Sequence, residues 1–478
     1  MSGVETRSRK RKLMAAAGSE SAAPGPKAAK PQEDSSCAQS TAPTTELGGN
    51  FDRLPDELLA KILNAVGSFE ALCKLRGVSR RFQDSIESGR IEAVRFEKCP
   101  SRRFRMSIKS PGRRRDMLAM IDVGQRILGA ATRSIRFEEF PAQLLNVQIL
   151  KGWTERCTDV REFMLSTCHY VPLSFYAKVF NELLPRIAPK LERLIVSFDG
   201  QTDGHRRIYA ASAVDGYLCS ESARHLVFVS ISAQMDSASD WRCERVEHLD
   251  VSGSPWLVGE LGPMTRLSSL SLSGSWWTDF RGARDDLISS GHQLPIKTLS
   301  MNTFRFAKKS YTALFRFIRL CCPNLEVLEM THVLMLETLV KLSSLAQPAQ
   351  SGLKQLKRLN LSSCGVVNDP TDLTHWSWPE SGGAPLALDE LAIGHDQSKG
   401  RRRVRQVTTA FLNGASATAL RVRRLDFAAE RHSVNKKALR RFALAHAELE
   451  WVRLAAHEHD STARLRVEAL RAAPPPMI

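Results

Sequence analysis

The sequence predicts an α/β chain: a short N-terminal unit of three helices followed by a curved solenoid of parallel strands plus helices. Three observations predict it. Residues 54–86 place apolar side chains at helical spacing in three short bursts. From residue 91 onward one six-residue pattern recurs: apolar, two residues, apolar, one residue, apolar. Its starting positions lie 20 to 41 residues apart, mostly near 29. That period is the one stacked strand-and-helix units produce.

Residues 1–50 precede the helical unit and are rich in Ala, Ser, Thr, Gly and Pro, with almost no large apolar side chains. Such a stretch cannot bury enough surface to offset chain entropy, so it is read as a disordered tail. Arg7–Lys12 within it, RSRKRK, has the composition of a nuclear import signal and equally of a solvated basic terminus. Either nucleus or cytoplasm, or both, fits the chain. The apolar run after it, Leu13–Ala17, is too short for a signal peptide. No run approaches the eighteen apolar residues of a membrane span, so no membrane partner is expected. The ten cysteines form no CxxC pair, which suits reduced thiols inside a cell.

The helical unit, residues 51–90, opens on Leu54-Pro55. Proline at a first helical position loses no bond, because its missing N–H has no helical partner there. Asp56 and Glu57 put carboxylates in the first turn, where the helix dipole favours them. Leu58, Leu59, Ile62, Leu63 and Val66 then form a broad apolar face, and Gly67-Ser68 ends it. Phe69, Leu72 and Leu75 lead into Val78, Phe82 and Ile86. This is more apolar surface than about thirty residues can bury alone, so the unit must lean on a neighbour.

These residues resemble the F-box, whose pattern is a Leu-Pro-x-Glu opening, Ile-Leu in the first helix and a Val-Ser-x-x-Phe ending. Here they are Leu54, Pro55, Glu57, Leu58, Ile62, Leu63, Leu72, Leu75, Val78, Ser79 and Phe82. The resemblance implies that Leu54, Pro55, Glu57, Leu58, Ile62, Leu63, Leu72, Leu75, Val78 and Phe82 dock a Skp-family adaptor. Through it the chain would join the cullin and RING subunits of an SCF-type ubiquitin ligase.

The repeated pattern spans residues 91–470 in about twelve to thirteen irregular units. It starts at Ile91, Val160, Leu191, Leu226, Val246, Leu267, Ile296, Leu325, Leu356, Leu388, Val422 and Leu449, with TRSIRF from Thr132 a weaker member. Its fourth and sixth positions point inward from a short strand, by the period of two. Helical patterns at 116–129, 174–188, 311–321 and 436–447 fill the returns, and no single unit buries its apolar face without neighbours. The grammar and the spacing resemble leucine-rich repeats. Three positions after the last apolar residue of the pattern the chain must turn, and Cys99, Cys168, Asp199, Gln234, Ser254, Ser275, Cys364 and Asp396 occupy such positions. The segments around 201–220 and 367–387 read as insertions or loops. ARLRVEALR reads as a polar end cap, and residues 471–478 as a flexible tail.

Chemistry-bearing motifs are scarce. The sequence holds no phosphate-binding glycine loop, no GxSxG, no HExxH and no zinc-spaced cysteines. His457-Glu458-His459-Asp460 supplies two imidazoles without a third distant ligand and falls where a turn is expected. Cys321-Cys322 ends an apolar helix and reads as core. The reading is therefore no enzyme, no cofactor and no metal.

Charge says more about partners. The net charge is +17, with +7 in residues 101–115 and +5 in 399–405, which include Arg401, Arg402 and Arg403. Such loops suit an acidic or phosphorylated target segment, or nucleic acid by counterion release. Phe104 is the one aromatic residue within these two runs, too few for a single-strand stacking platform. The expected concave face is small and polar in its middle, and Arg358, Arg424, Trp451 and Arg453 lie toward its C-terminal end. Arg and Trp dominate interface hot spots, so these four, with Arg401–Arg403, are the candidate target contacts.

The functional expectation is a non-catalytic substrate-recognition adaptor of a Skp-cullin-F-box ubiquitin ligase, whose repeats bind an unidentified protein target. The alternatives are a nuclear leucine-rich-repeat scaffold, or a basic nucleic-acid-binding protein not acting in degradation.

Overall fold

The computed structural model describes residues 54–96, 122–140, 147–167, 173–198, 204–253, 261–274, 293–306, 317–335, 355–361, 387–393, 409–413, 421–427, 435–454 and 464–472, apart from scattered positions within them. Three helices come first: α1 (Asp56–Val66), α2 (Phe69–Arg76) and α3 (Arg80–Glu87). The chain then enters a strand series: β1 (Ala93–Phe96), β2 (Ser134–Phe140), β3 (Glu162–Thr167), β4 (Arg193–Ser197), β5 (Phe228–Ser232), β6 (His248–Ser252), β7 (Ser269–Ser273) and β8 (Thr298–Asn302). It continues through β9 (Arg305–Phe306), β10 (Val327–Thr331), β11 (Leu334–Met335), β12 (Arg358–Leu361), β13 (Ala387–Ile393), β14 (Arg421–Phe427), β15 (Trp451–Leu454) and β16 (Arg464–Arg466).

The main sheet runs β1 to β8, β10, then β12 to β16 in strict sequence order. Every pairing from β1 to β15 is parallel, and β16 returns antiparallel on β15. The short β9 and β11 pair with each other. A sheet with only nearest-neighbour parallel connections is the curved α/β solenoid that the repeat grammar predicts.

The register follows the grammar residue by residue. The fourth position of every unit faces the fourth position of the next: Val94, Ile135, Phe163, Leu194, Val229, Leu249, Leu270, Leu299, Leu328, Leu359, Leu391, Leu425 and Val452 form one ladder. All thirteen are buried, as are all thirteen first-position residues from Ile91 to Leu449. A one-residue slip would turn these side chains to solvent, which is why the register holds over so many strands. TRSIRF is a full member despite its polar start. Thr132 donates its hydroxyl to Ile91 O at 3.0 Å and accepts from Gly129 N at 3.1 Å, so burying it leaves no polar atom unmatched.

Helices pack on one side of the sheet. The stretch 174–188 is helical from Leu173 to Ile187, with one π turn at Val179–Leu183. Lys436–Ala445 is a helix N-capped by Asn435, whose side chain accepts from Lys437 N at 2.9 Å and Ala438 N at 3.2 Å. Of 116–129, residues 124–127 are helical, and of 311–321, residues 317–318 and 320–321.

One expectation is corrected. Residues 204–218, read as an insertion or loop, form a fifteen-residue helix. It buries Ala210, Ala211, Val214, Tyr217 and Leu218, a helical stripe that two alanines disguise. The eight turn positions, His457–Asp460, residues 1–50, 101–115 and 399–405, and most of 367–387 lie outside the described residues. Among the described residues no helix is long and apolar enough to cross a membrane.

The three helices do lean on a neighbour, and it is this chain's own first strand. Gly67, at φ +58 in the left-handed region, caps α1 through its N–H to Leu63 O. Its carbonyl accepts from Arg95 N at 2.7 Å, while Asn64 Oδ1 accepts from Glu92 N at 2.7 Å. Phe69 packs on Phe96 at 4.6 Å between ring centroids, and Phe96 stacks on Phe137 and Trp153 at 4.8 Å each. These aromatics carry one core from α2 into β1 and β2.

Candidate functional site

Two surfaces are candidates: the outward side of the helical unit, and the sheet face opposite the helices, called the open face below.

Alternation within adjacent pairs divides α1. Leu59 and Leu63 are buried, while Leu58 and Ile62 are 45% and 42% exposed. Residues four apart share a helix face, so Leu58 and Ile62 present one apolar strip. Val78, between α2 and α3, is 66% exposed. These three are among the few large apolar side chains left in water along the described chain. Pro55 and Glu57 are also exposed, and Leu54 and Leu75 are half-buried. Leu63, Leu72 and Phe82 of the expected docking set instead face inward, into the core shared with β1. They shape the surface from beneath rather than line it.

The loop and helix ends of this unit are tied together. Ser79 caps α3, its side chain accepting from Phe82 N at 3.3 Å. Arg81 on α3 reaches back to Leu54 O and, at 2.8 Å, to Asp56 Oδ1. Arg81 holds the Asp56 carboxyl below the ordinary aspartate range, by hydrogen bond first and charge second. Pro55 stands as the N-cap residue rather than the first helical one, and its carbonyl accepts from Leu58 N and Leu59 N, both at 3.0 Å. Sequence reasoning missed Arg81. The signal was present, since a cation in the VSRRF ending suits a carboxylate in the LPDE opening.

On the open face the third and fifth positions of each unit point outward. At its C-terminal end Arg358 and Glu390 are register partners, 3.3 Å apart as ions, and Arg453 and Asp426 are another such pair at 3.5 Å. Arg424 lies 3.7 Å from Glu450, and its register partner is Trp451, which is half-buried. The structure therefore brings Arg424, Trp451 and Arg453 onto neighbouring strands, with carboxylates beside the arginines. Arg358 stands two strands away on β12, and Arg401, Arg402 and Arg403 lie outside the described residues.

At the N-terminal end Glu162 on β3 is buried and gathers three donors. Ser134 Oγ donates at 2.7 Å, one Arg136 Nη2 reaches both carboxylate oxygens at 3.0 Å, and Arg193 Nε donates at 3.2 Å. Burial alone would raise the carboxyl's pKa. The hydrogen bonds from Ser134, Arg136 and Arg193 and the charge of Arg136 outweigh it, and the pKa falls below the ordinary glutamate value. Arg193 also lies over the Phe228 ring, 4.2 Å from its centroid.

No group of three or more His, Cys, Asp or Glu among the described residues could hold a metal. Cys321 and Cys322 are buried, and burial pushes the Cys321 thiol up to about 11 and Cys322 higher still, which leaves both as core thiols.

Comparison with known proteins bears on the helical unit. Residues 51–92 match the family model of the F-box domain, so α1 to α3 and the entry to β1 form an F-box. Among solved structures, one similar chain comes from the crystal structure of the Rad7 and Elc1 complex in yeast. The similarity has a TM-score of 0.38 and 13% identity over 86% of this chain and 90% of that one. No curated protein matches the sequence.

Proposed function

We propose that this chain, with its F-box at residues 51–92, is a non-catalytic substrate-recognition subunit of a Skp-cullin-F-box ubiquitin ligase. The F-box docks a Skp-family adaptor, which connects the chain to cullin and RING subunits. The open face of the solenoid holds a protein target for ubiquitination. Tethering raises the effective concentration of target lysines near a ubiquitin-charged enzyme, so this chain needs no reacting groups of its own. The basic N-terminal run supports work in the nucleus as well as the cytoplasm.

The observation that carries this reading is the division of the F-box into two faces. Leu59, Leu63, Leu72, Phe82 and Ile86 are spent on the chain's own core, while Leu58, Ile62 and Val78 remain in water. Exposed apolar residues held on a rigid support mark a protein-binding surface. The test is co-purification of the full chain with a Skp-family adaptor. Leu58→Asp with Ile62→Asp should abolish it while the chain stays folded, because both side chains are exposed. Undiminished co-purification of that double variant would remove the docking role.

A further inference from the structure

We propose that the target is taken on the N-terminal part of the open face, strands β2 to β5, and that it presents an apolar side chain flanked by carboxylates. The proposal rests on the target-recruiting role above and names the chemistry of the segment recruited.

Two features of these strands argue for it. The first is apolar surface where a solvated sheet face would be polar. Met164 on β3 and Ile195 on β4 are register partners, and both are outward-facing and half-buried rather than enclosed in the core. Phe228 on β5 is the register partner of Arg193 on β4, outward and half-buried as well, with the Arg193 guanidinium over its ring. Adjacent strands are about 4.8 Å apart, so Met164 and Ile195 can share one partner side chain, and Phe228 sits diagonally from Ile195 on the next strand, where a neighbouring side chain of the same segment would land. On the next strands, β6 to β8, the corresponding positions are His248, Asp250, Ser269, Ser271, Thr298 and Ser300, all polar. Met, aromatic residues and Arg are the types enriched where proteins meet.

The second feature is charge. Arg136 and Arg193 share the single carboxylate of Glu162, and each side chain stays well exposed, 39% and 46%. Among the described side chains at the third and fifth positions of β2 to β4, this sets two cations against one anion. At the other end of the face Arg358 and Arg453 each have an acid of their own in register. Glu162 fixes both guanidinium groups before any partner arrives, so a target carboxylate meets donors whose ordering entropy is already spent. A partner with an acid on either side of a Leu or Phe complements this surface. A nucleic acid would match the cations but would leave Met164 and Ile195 unused.

The test uses the full chain co-purified with its Skp-family adaptor, titrated against two labelled synthetic peptides read by fluorescence anisotropy. One peptide holds Leu-Phe between runs of Asp and Glu, and the other holds Leu-Phe between runs of Lys. The acidic peptide should bind at least about tenfold tighter than the lysine peptide, a difference of about 1.4 kcal/mol. It should also weaken as salt rises. Arg193→Ser and Ile195→Glu should each lower its affinity about tenfold or more, whereas Arg424→Ser and Trp451→Ala should leave it unchanged. Adaptor co-purification, measured on the same samples, reports that the variants fold. Equal affinity for the two peptides, no binding of the acidic one, or a loss confined to Arg424→Ser and Trp451→Ala would overturn the proposal. So would displacement of the acidic peptide by a single-stranded RNA oligonucleotide that Arg193→Ser releases. Peptide binding without adaptor capture would sink the ligase reading alone, and adaptor capture without peptide binding would sink this one alone.

Discussion

Glu162 shows how one buried carboxylate organises a stretch of open sheet. Its folded pKa lies below the ordinary glutamate value, so its ionised form stabilises the fold fully above the unfolded value of about 4.3. That contribution disappears as pH falls through the folded value. Arg136 and Arg193 are substantially solvated, so screening keeps the effect small. Thermal melts of Glu162→Gln and the unaltered chain should therefore differ most near neutral pH and converge on acidification. A gap constant from neutral pH to about pH 3 would mean the ionised form contributes nothing. The three residues occupy outward positions that fall together once the units are aligned: Glu162 and Arg193 are both third, and Arg136 is fifth. Ion pairs between successive strands were thus legible from the aligned repeats, as were Arg358 with Glu390 and Asp426 with Arg453. Reading the C-terminal arginines one at a time hid the carboxylates beside them.

Among the elements, α1 carries the sharpest division of labour. Leu58, Leu59, Ile62 and Leu63 look alike in the sequence, because two adjacent pairs four apart cover a wide arc of the helix. Periodicity locates that arc and cannot say which half meets the chain's own core. Only the docking of α2 on β1, through Phe69 and Phe96, settles it. Leu63→Ala should cost about 2–5 kcal/mol of stability, since it opens a cavity in a closed core. Leu58→Ala, at a half-exposed site, should change stability within about 0.5 kcal/mol and act on adaptor binding instead. Denaturant unfolding of both variants, read with adaptor capture, separates these effects, and similar stability losses would contradict the two-faced helix. The helix at 204–218 was missed for a related reason. Ala210 and Ala211 bury little area each, so the stripe they share with Val214, Tyr217 and Leu218 is faint until the partner helix at 173–178 is known.

Across the whole molecule the strand ladder was the most legible feature, because each unit repeats the demand that its first, fourth and sixth positions be apolar. The connections between strands were legible only in part, since solvent-facing returns need satisfy no shared pattern. The ladder also has two ends, and both are closed. At the C-terminal end β16 pairs antiparallel with β15, and the helix after it, Val467–Ala472, brings Arg471 onto the carbonyls of Ala443, His446 and Ala447. A cation on the last carbonyls of a helix offsets its dipole. Truncation before Arg464 should expose the β15 edge and the end of the helix Lys436–Ala445. The expected result is a lower melting temperature and concentration-dependent association in light scattering. A monodisperse, equally stable truncated chain would show that this segment is dispensable.

At the other end the lid is the F-box itself. Gly67 O and Asn64 Oδ1 occupy backbone donors at the start of β1, and the aromatic stack runs through the joint without an intervening linker. Whatever grips α1 therefore grips a handle welded to the blade. On the proposed function, the angle at which a cargo would meet the transfer machinery is set at the junction where Gly67 holds Arg95, so a few residues inserted between α3 and β1 would mis-aim the tool while leaving both grips intact.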